Sequence, residues 1–463
     1  MDFKNGEMKM KDMENSLATE PVGKLLFKLA LPAITAQIIN ALYNIVDRMY
    51  IGRMPENGSL ALAALGIAFP IIMIISAFAA LIGMGGAPRA AIKMGEGNKD
   101  EAEKILSNSF ISLCIISAVL MIVFFFTKKT LLTWFGATAN TLTFADEYFS
   151  IYLIGTLFVQ ISLGLNPFIS AQGFAKISMT TVVVGAITNI ILDPILIYGF
   201  NMGVKGAAIA TIFSQLISAL WVLKFLFSKK SIIKIKKKYF KLEKKIILPV
   251  LALGISPFIM QSTESLVQLT LNSGMKKYGG ANADQLVGAL SIIVSSMQFL
   301  LMPIVGIAQG AQPIVSYNYG ARNMDRVRKA FRLLLLSSMI YSTVMWALAM
   351  LTPQIFVRIF SNDPKLLELG TYGMRIFMAG SLLMGAQFAC QNTFVALGQA
   401  KISMFLALLR KIILLIPLAI ILPVFWGTKG ILIAEPIADI TAAVTTTIVF
   451  IVFARKNLVE NKK

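Results

Sequence analysis

Five acidic side chains lie inside, or near the ends of, long apolar stretches of this 463-residue chain: Asp47, Asp193, Glu264, Glu435 and Asp439. A charged side chain at the centre of a membrane-spanning helix costs about 2.5–3.5 kcal/mol on the insertion scale. We therefore expect these acids to face protein or water rather than lipid. Buried carboxylates of this kind are candidates for binding a cation or a proton.

The segment from Asn189 to Pro194 combines several oxygen donors. Asn189 and Asp193 are four residues apart and share one helix face. Pro194 lacks the N–H that would otherwise bond the carbonyl of Ile190. A carboxylate, an amide oxygen and a freed carbonyl therefore converge, and Thr211 on the next apolar stretch adds a hydroxyl. Hard donors suit a small cation. The alternatives are a proton on the desolvated aspartate, or a proline-kinked helix whose aspartate pairs with a neighbour.

A polar stripe runs along the first apolar stretch at spacings of three, four and three residues: Gln37, Asn40, Asn44 and Asp47. These spacings place the side chains on one face of a helix. The seventh stretch carries its own stripe: Gln261, Glu264, Gln268 and Asn272. The stripes predict polar surfaces inside the bundle, and the alternative is interhelical hydrogen bonding that only stabilises it.

The last apolar stretch carries a further acidic face. Glu435 and Asp439 are four residues apart and flank Pro436. Arg410 and Lys411, inside the preceding stretch, are candidate partners for them. The sequence leaves open whether these groups form a purely structural ion pair or contribute to a binding site.

Several chemistries are excluded by the residue types of the chain. The sequence contains no histidine, and Cys114 and Cys390 have no spacing partner for a metal site or a disulfide framework. It also lacks a G-x-x-x-x-G-K-[ST] phosphate loop. We therefore predict that the chain is not an enzyme, uses no cofactor and no metal beyond Na⁺ as a coupling ion, and draws on a gradient of H⁺ or Na⁺.

The composition indicates a membrane protein. The mean hydropathy is +0.75, 57% of the residues are hydrophobic and 14% are charged, whereas soluble domains carry about 25% charged residues. Apolar stretches of about 20 residues, long enough to cross a membrane as helices, recur about twelve times. We predict an all-α integral membrane protein with spans at approximately 25–51, 60–88, 105–126, 146–172, 179–200, 207–228, 246–271, 285–313, 330–352, 369–396, 402–424 and 431–454.

The sequence repeats itself at an offset of about 225 residues. Residues 175–179 recur as residues 400–404, and the same offset relates Gly85 to Gly310. Each copy contains six spans, an even number, so both copies enter the membrane in the same sense. This predicts two six-helix repeats related by a pseudo-two-fold axis along the membrane normal, with the working site at their interface near the bilayer midplane.

The distribution of basic residues predicts the orientation. The side of the membrane that holds the termini carries about 28 Lys and Arg, against about 9 on the other side, so both termini are expected to be cytoplasmic. This bias accounts for much of the net charge of +20 and disfavours a nucleic-acid partner. The predicted division is a cytoplasmic polar tail (1–20), an N-lobe of six helices (21–228), a basic cytoplasmic linker (229–245), a C-lobe of six helices (246–454) and a cytoplasmic tail (455–463). We interpret the lysine-rich linker as a solvated loop that contacts anionic lipid headgroups.

Four segments together resemble the MATE (multidrug and toxic compound extrusion) transporters. They are residues 46–52 (Val-Asp-Arg-Met-Tyr-Ile-Gly), 189–194, 307–320 and 436–439. They occur in the expected order within a six-plus-six repeat, and the resemblance covers roughly residues 18–455. Within the family, the chain resembles the bacterial MepA-like multidrug exporters.

The resemblance implies a V-shaped pair of six-helix lobes around a central cavity. The cation site of the family's N-lobe corresponds here to four side chains: Asp47, Asn189, Asp193 and Thr211. An acid on the family's seventh helix corresponds to Glu264. The acid that some members carry on the tenth helix is missing, and the nearest polar residue is Gln387, so the resemblance does not extend to a second cation site in the C-lobe.

We therefore predict a multidrug efflux antiporter of the bacterial cytoplasmic membrane. It is expected to act as a monomer among membrane lipids and to export cationic or amphipathic small-molecule drugs, including antibiotics, in exchange for H⁺ or Na⁺. The substrate cavity is expected at Gln37, Asn40, Asn44, Glu264, Gln268, Gln387, Glu435 and Asp439. The alternative is a flippase for a lipid-linked oligosaccharide or related lipid cargo, whose cavity should instead carry several Arg or Lys.

Overall fold

The computed structural model describes residues 16–55 and 57–458, and these residues contain helices but no strand. The outer parts of the two predicted tails, residues 1–15 and 459–463, lie outside the described residues. The helices are α1 (Val22–Gly52), α2 (Gly58–Gly95), α3 (Lys99–Trp134), α4 (Ala139–Ile154), α5 (Thr156–Ala171), α6 (Ala175–Pro194), α7 (Gly203–Phe227), α8 (Lys244–Tyr278), α9 (Ala283–Gly320), α10 (Met324–Leu351), α11 (Pro353–Phe360), α12 (Pro364–Phe377), α13 (Met384–Ala396), α14 (Ala400–Leu408) and α15 (Ile416–Asn457).

Each predicted span coincides with one helix or with consecutive helical pieces. Nine helices of the described chain are long and apolar enough to cross a membrane, and a bent pair makes ten. That pair, α4 and α5, is bent by 59° and corresponds to the fourth predicted span. The tenth span is divided into α12 and α13 by a 3₁₀ turn at Ala379–Leu383.

The last two predicted spans form a hairpin, and its bend lies within the range of α15. Gly427 has a left-handed φ of 54°, and a Cβ added to Gly430 would lie 2.5 Å from the backbone of Leu422. The chain therefore reverses between these residues. The first half of the chain turns the same way between α6 and α7, where Gly203 has a φ of 55° and Gly206 packs against Leu196.

The two halves of the chain pack most closely toward the end at which α1 begins, which we call the inner face. Glycines allow this approach because a side chain would not fit. A Cβ on Gly95 of α2 would lie 1.9 Å from the carbonyl oxygen of Tyr317 on α9, and one on Gly310 would lie 2.5 Å from Ala30 on α1. The bundle is therefore closed at its inner face.

Polar contacts also join the two halves at the inner face. The guanidinium of Arg326, at the start of α10, donates to the carbonyl oxygens of Leu17 and Glu20 at 3.1 and 2.8 Å. Asn318 also donates to the Leu17 carbonyl, at 3.1 Å. Leu17 is fully buried. The segment before α1 is thus held by helices that lie about 300 residues later in the chain.

The linker between the halves is docked onto the protein, so the prediction of a solvated loop is wrong for its first part. Ser231, Ile232, Ile233 and Ile235 are buried. The side-chain oxygen of Gln172 accepts hydrogen bonds from the Ser231 hydroxyl and from the N–H groups of Ile232 and Ile233, at 3.0, 2.7 and 3.1 Å. The prediction was based on the lysines of the linker, and it overlooked the apolar residues between them, whose side chains point into the protein.

Acidic side chains of α3 hold the rest of the linker. Glu103 is buried, accepts a hydrogen bond from the Lys234 N–H and pairs with the ammonium of Lys236. The hydroxyl of Tyr239 donates to Asp100, and this bond, with nearby lysine charges, lowers the pKa of Asp100. Because the pKa is lowered in the folded protein, this stabilisation is present at neutral pH and is lost as the pH falls through the lowered value.

We expect the substitution Gln172→Leu, which introduces the residue found at the repeat-related position 397, to loosen the linker. It removes the acceptor of two buried N–H groups, and each unsatisfied group costs about 1–3 kcal/mol. Trypsin should then cleave purified protein faster between residues 229 and 245. Thr445→Val is the control, because Thr445 lies far from the linker in sequence and its hydroxyl donates, among the described residues, only to the Thr441 carbonyl of its own helix. An unchanged cleavage rate in the Gln172 variant would show that other contacts hold the linker.

Candidate functional site

The acids of the first half are positioned by α1 and α6, which pack against each other. Near their outer ends, the hydroxyl of Tyr198 donates to the carbonyl of Tyr50 at 2.6 Å. Regular α-helix ends at Pro194, and a π-helical turn follows from Ile195 to Gly199. This interruption agrees with the presence of Pro194, because proline has no N–H to donate to the carbonyl of Ile190 in the preceding turn.

Asp47, Asn189 and Asp193 come together in this interface. Their exposed fractions are 8%, 1% and 0%. The amide of Asn189 donates to Asp193 Oδ1 at 3.4 Å. The carboxyl groups of Asp47 and Asp193 are neighbours, close enough for a hydrogen bond when one of them holds a proton. Helical spacing predicts the proximity of Asn189 and Asp193, whereas Asp47 joins them from a different helix.

Three buried oxygen atoms of this group have no hydrogen-bond partner among the described residues. They are Asp47 Oδ1, Asn189 Oδ1 and Asp193 Oδ2. Buried polar atoms without partners are uncommon and call for an explanation. Two carboxylate oxygens and an amide oxygen form a donor set that suits a small hard cation, and one added proton would also relieve the two facing carboxylates.

Thr211 lies on α7, which packs against α6. Its hydroxyl donates to the Ala207 carbonyl at 3.0 Å, which leaves the oxygen lone pairs as acceptors. Tyr148 of α4 lies beside Thr211 and within electrostatic range of Asp47. Sequence reasoning missed this tyrosine, because only the fold brings α4 to the acids.

A cavity of about 220 Å³ lies mainly within the second half of the chain. Its polar wall includes Glu264, Gln268, Glu435 and, from α1, Gln37. Methionine and phenylalanine side chains complete the lining: Met260, Met297, Met302, Phe377 and Phe388. Such side chains adapt to ligands of different shape.

Two buried basic residues of the second half pair with its acids. Arg410 donates to Asp439 Oδ1 at 2.8 Å and lies 3.7 Å from Glu435. Lys411 contacts Glu264 at 2.9 Å. Both bases occupy a π-helical turn, Leu409–Leu415, and both are buried. The sequence correctly suggested Glu435 and Asp439 as partners of Arg410. It did not predict that Lys411 pairs with Glu264 of the seventh span.

The remaining predicted cavity residues are spread more widely. Gln37 donates to Gln309 on α9 at 3.2 Å and therefore joins the two halves. Asn40 lines a second cavity of about 300 Å³, whose walls come from α1, α2, α5 and α6 of the first half and from α8 and α9 of the second. Asn44 donates within its own helix, to the carbonyl of Asn40. Gln387 is buried, and its side-chain oxygen has no partner among the described residues.

Two repeats of membrane helices, with paired carboxylates in one repeat and a cavity reaching toward the other, define a membrane transporter. The MatE family model matches residues 32–195 and 257–421, and the chain belongs to this family. It is therefore a transporter and not an enzyme.

Known proteins resemble the chain over almost its whole length. It is 25% identical to the multidrug export protein MepA of Staphylococcus haemolyticus over 434 residues, which cover 94% of each chain. The corresponding protein of Staphylococcus aureus is 25% identical over 91% of this chain and 93% of its own.

Solved structures confirm the fold. A multidrug resistance MATE family transporter in an outward-facing conformation superposes with a TM-score of 0.88 at 23% identity, covering 96% of this chain and 98% of the other. A transporter from Pyrococcus furiosus, described as having a binding pocket of reverse polarity, gives a TM-score of 0.87 at 24% identity, with the same coverage. The predicted all-α fold of twelve membrane helices in two repeats is thus confirmed.

Proposed function

We propose that the protein is a multidrug efflux antiporter that exports cationic or amphipathic drugs in exchange for H⁺ or Na⁺. The observation that carries this proposal is the set of three buried, unpartnered oxygens on Asp47, Asn189 and Asp193. In a chain that belongs to a transporter family, such oxygens are suited to bind a coupling ion. The names of the MepA relatives support the drug cargo.

The coupling site is assigned to Asp47, Asn189, Asp193 and Thr211. When both carboxylates are ionised, their repulsion is relieved by a bound cation or proton. Binding neutralises charge between α1 and α6 and favours closer packing of these helices. Gln37 of α1 lines both cavities. A movement of α1 can therefore change the shape of the cavity that binds the drug. Exchange follows if the ion and the drug favour different arrangements of α1.

The topology of the proposal follows the positive-inside rule. The termini and the docked linker face the cytoplasm, so the closed inner face is cytoplasmic and the structure represents an outward-facing state. The lobes are residues 21–228 and 246–454, separated by the linker at 229–245. The protein works as a monomer among the lipids of a bacterial cytoplasmic membrane.

A lipid-linked oligosaccharide flippase is the weaker alternative. Its anionic cargo requires free cationic side chains in the cavity, as phosphate recognition generally does. Arg410 and Lys411 are both paired with acids. The two bases therefore offer no free positive charge to a sugar phosphate.

The function is tested by ethidium efflux in everted membrane vesicles without ATP. A pH gradient and a Na⁺ gradient are applied separately. We expect one of the two to drive ethidium accumulation. Vesicles without the protein provide the baseline. Transport that survives collapse of both gradients and stops only when ATP is removed would contradict the antiport mechanism.

A further inference from the structure

Five charged side chains form a connected cluster in the second half, which we call the acid–base cluster: Glu264, Arg410, Lys411, Glu435 and Asp439. All except Asp439 line the 220 Å³ cavity. Three acids and two bases leave one net negative charge when all five are ionised. One monovalent cation would therefore complete the charge balance of the cluster.

The two bases are held with different strength. The side chain of Arg410 is 6% exposed and is fixed by Asp439 at 2.8 Å. The ammonium of Lys411 is at the end of a flexible aliphatic side chain. Among the described residues it donates a hydrogen bond to Glu264 only. Arg410 is thus positioned to stay, whereas Lys411 can move by rotation about its side-chain bonds.

The three acids are also unequally partnered. Glu435 has only a distant contact, 3.7 Å from Arg410, and lies within electrostatic range of Lys411. The side chain of Glu264 is 38% exposed in the structure and borders the cavity. Glu264 is therefore the acid that an incoming ligand can reach, and Glu435 is the acid with capacity for another partner.

We propose that Lys411 is a tethered counter-ion that a cationic substrate displaces from Glu264. On displacement, the ammonium of Lys411 moves to Glu435, while Arg410 remains on Asp439. Every acid then has a cationic partner, and no buried charge is left alone, which would be costly. This proposal rests on the proposed drug transport and identifies the charged part of its binding site.

The exchange defines a class of substrate. A ligand with one positive charge neutralises the cluster, and an apolar or aromatic body fits the methionine and phenylalanine side chains of the cavity. A second positive charge would find no free acid after Lys411 has moved. Neutral ligands of the same shape leave the Glu264–Lys411 pair in place and gain no electrostatic attraction.

The test measures binding of tetraphenylphosphonium, an aromatic monocation, to purified protein without any ion gradient. Triphenylphosphine oxide serves as the neutral probe of similar shape. We expect Glu264→Gln to weaken binding of the cation by about tenfold or more, because the substitution removes the carboxylate that would pair with the bound cation. Binding of the neutral probe should change little, which also shows that the variant is folded.

Substitutions of Lys411 should change the affinity in opposite directions. Lys411→Met removes the competitor and should raise the affinity for tetraphenylphosphonium about tenfold. Lys411→Arg strengthens the contact with Glu264 through a second hydrogen bond and should lower it. Lys276→Met is the control, because Lys276 lies on α8 outside the cavity.

A double-mutant cycle distinguishes the exchange from simple repulsion. Glu435→Gln should weaken cation binding when Lys411 is present, because the displaced ammonium then has no acceptor. In the Lys411→Met background, the same substitution should have a much smaller effect. An equal effect in both backgrounds, or an unchanged affinity in Lys411→Met, would overturn the exchange. Gradient-driven ethidium efflux by the unsubstituted protein would still stand in that case, so failure of the exchange is separable from failure of the transport function.

Discussion

The substitution Asp193→Asn is expected to reduce gradient-driven ethidium efflux to the level of vesicles without the protein. Asparagine has nearly the same size, so the packing between α1 and α6 is kept. The change removes one of two facing buried carboxylates and places an NH₂ donor where a cation or proton would bind. Because no positive charge among residues 16–55 and 57–458 pairs with Asp193, loss of the acid should leave folding intact or strengthen it. Efflux in everted vesicles and thermal unfolding of the purified protein measure the two effects.

The control is Glu147→Gln, which removes a partly exposed acid that pairs with Lys205 at 3.3 Å. Efflux by this variant should be close to that of the unsubstituted protein. Asp47→Asn should behave like Asp193→Asn, and the double substitution should add little, because residues of one site act as a unit. Near-normal efflux in both single variants would mean that the two aspartates have a structural role.

The substitution Gly95→Ala is expected to open the inner face and to abolish efflux. The added Cβ would lie 1.9 Å from the Tyr317 carbonyl oxygen, far inside contact distance, and the Cβ and the oxygen are each attached directly to the backbone of a helix. The halves must therefore separate at this point, at a cost of about 1–3 kcal/mol typical of overpacking. Gly66→Ala on the same helix is the control, because a Cβ there meets no atom within 4 Å.

The opening can be followed by cysteine labelling. Ile92 is half-buried and touches Gly320 across the interface, so Ile92→Cys reports access from the inner face. The background should lack Cys114 and Cys390. A water-soluble maleimide should label Ile92→Cys faster in the Gly95→Ala protein than in the Gly66→Ala protein. Equal labelling together with normal efflux would show that the interface tolerates the methyl group.

Local sequence patterns predicted the helices and the pairing of Asp193 with Asn189. Both depend on hydropathy over about 20 residues or on helical spacing, and such information lies within one segment of the chain. Helical spacing could not predict that Asp47 lies next to Asp193, because these residues are on different helices. Here the resemblance to the MATE family, rather than spacing, supplied the association.

Contacts between distant segments account for what the sequence did not predict. Lys411 pairs with Glu264, 147 positions away, instead of with the acids nearest to it in sequence. The linker was judged from its lysines, whereas its docking depends on Gln172 and Glu103 of the preceding bundle. In each case the partner is chosen by tertiary packing, and a single sequence holds no local signal for that choice.

The contact between Arg326 and the segment before α1 has a consequence for biosynthesis. The Leu17 carbonyl and its guanidinium partner are 309 positions apart. At about 5–20 residues per second, the ribosome needs roughly 15–60 s to synthesise the chain between them. During that interval the first eight predicted spans are synthesised and can enter the membrane, while the segment at Leu17 does not yet have Arg326 as a partner. A nascent chain arrested before residue 326 should therefore expose this segment to protease, and release of the full-length polypeptide should protect it.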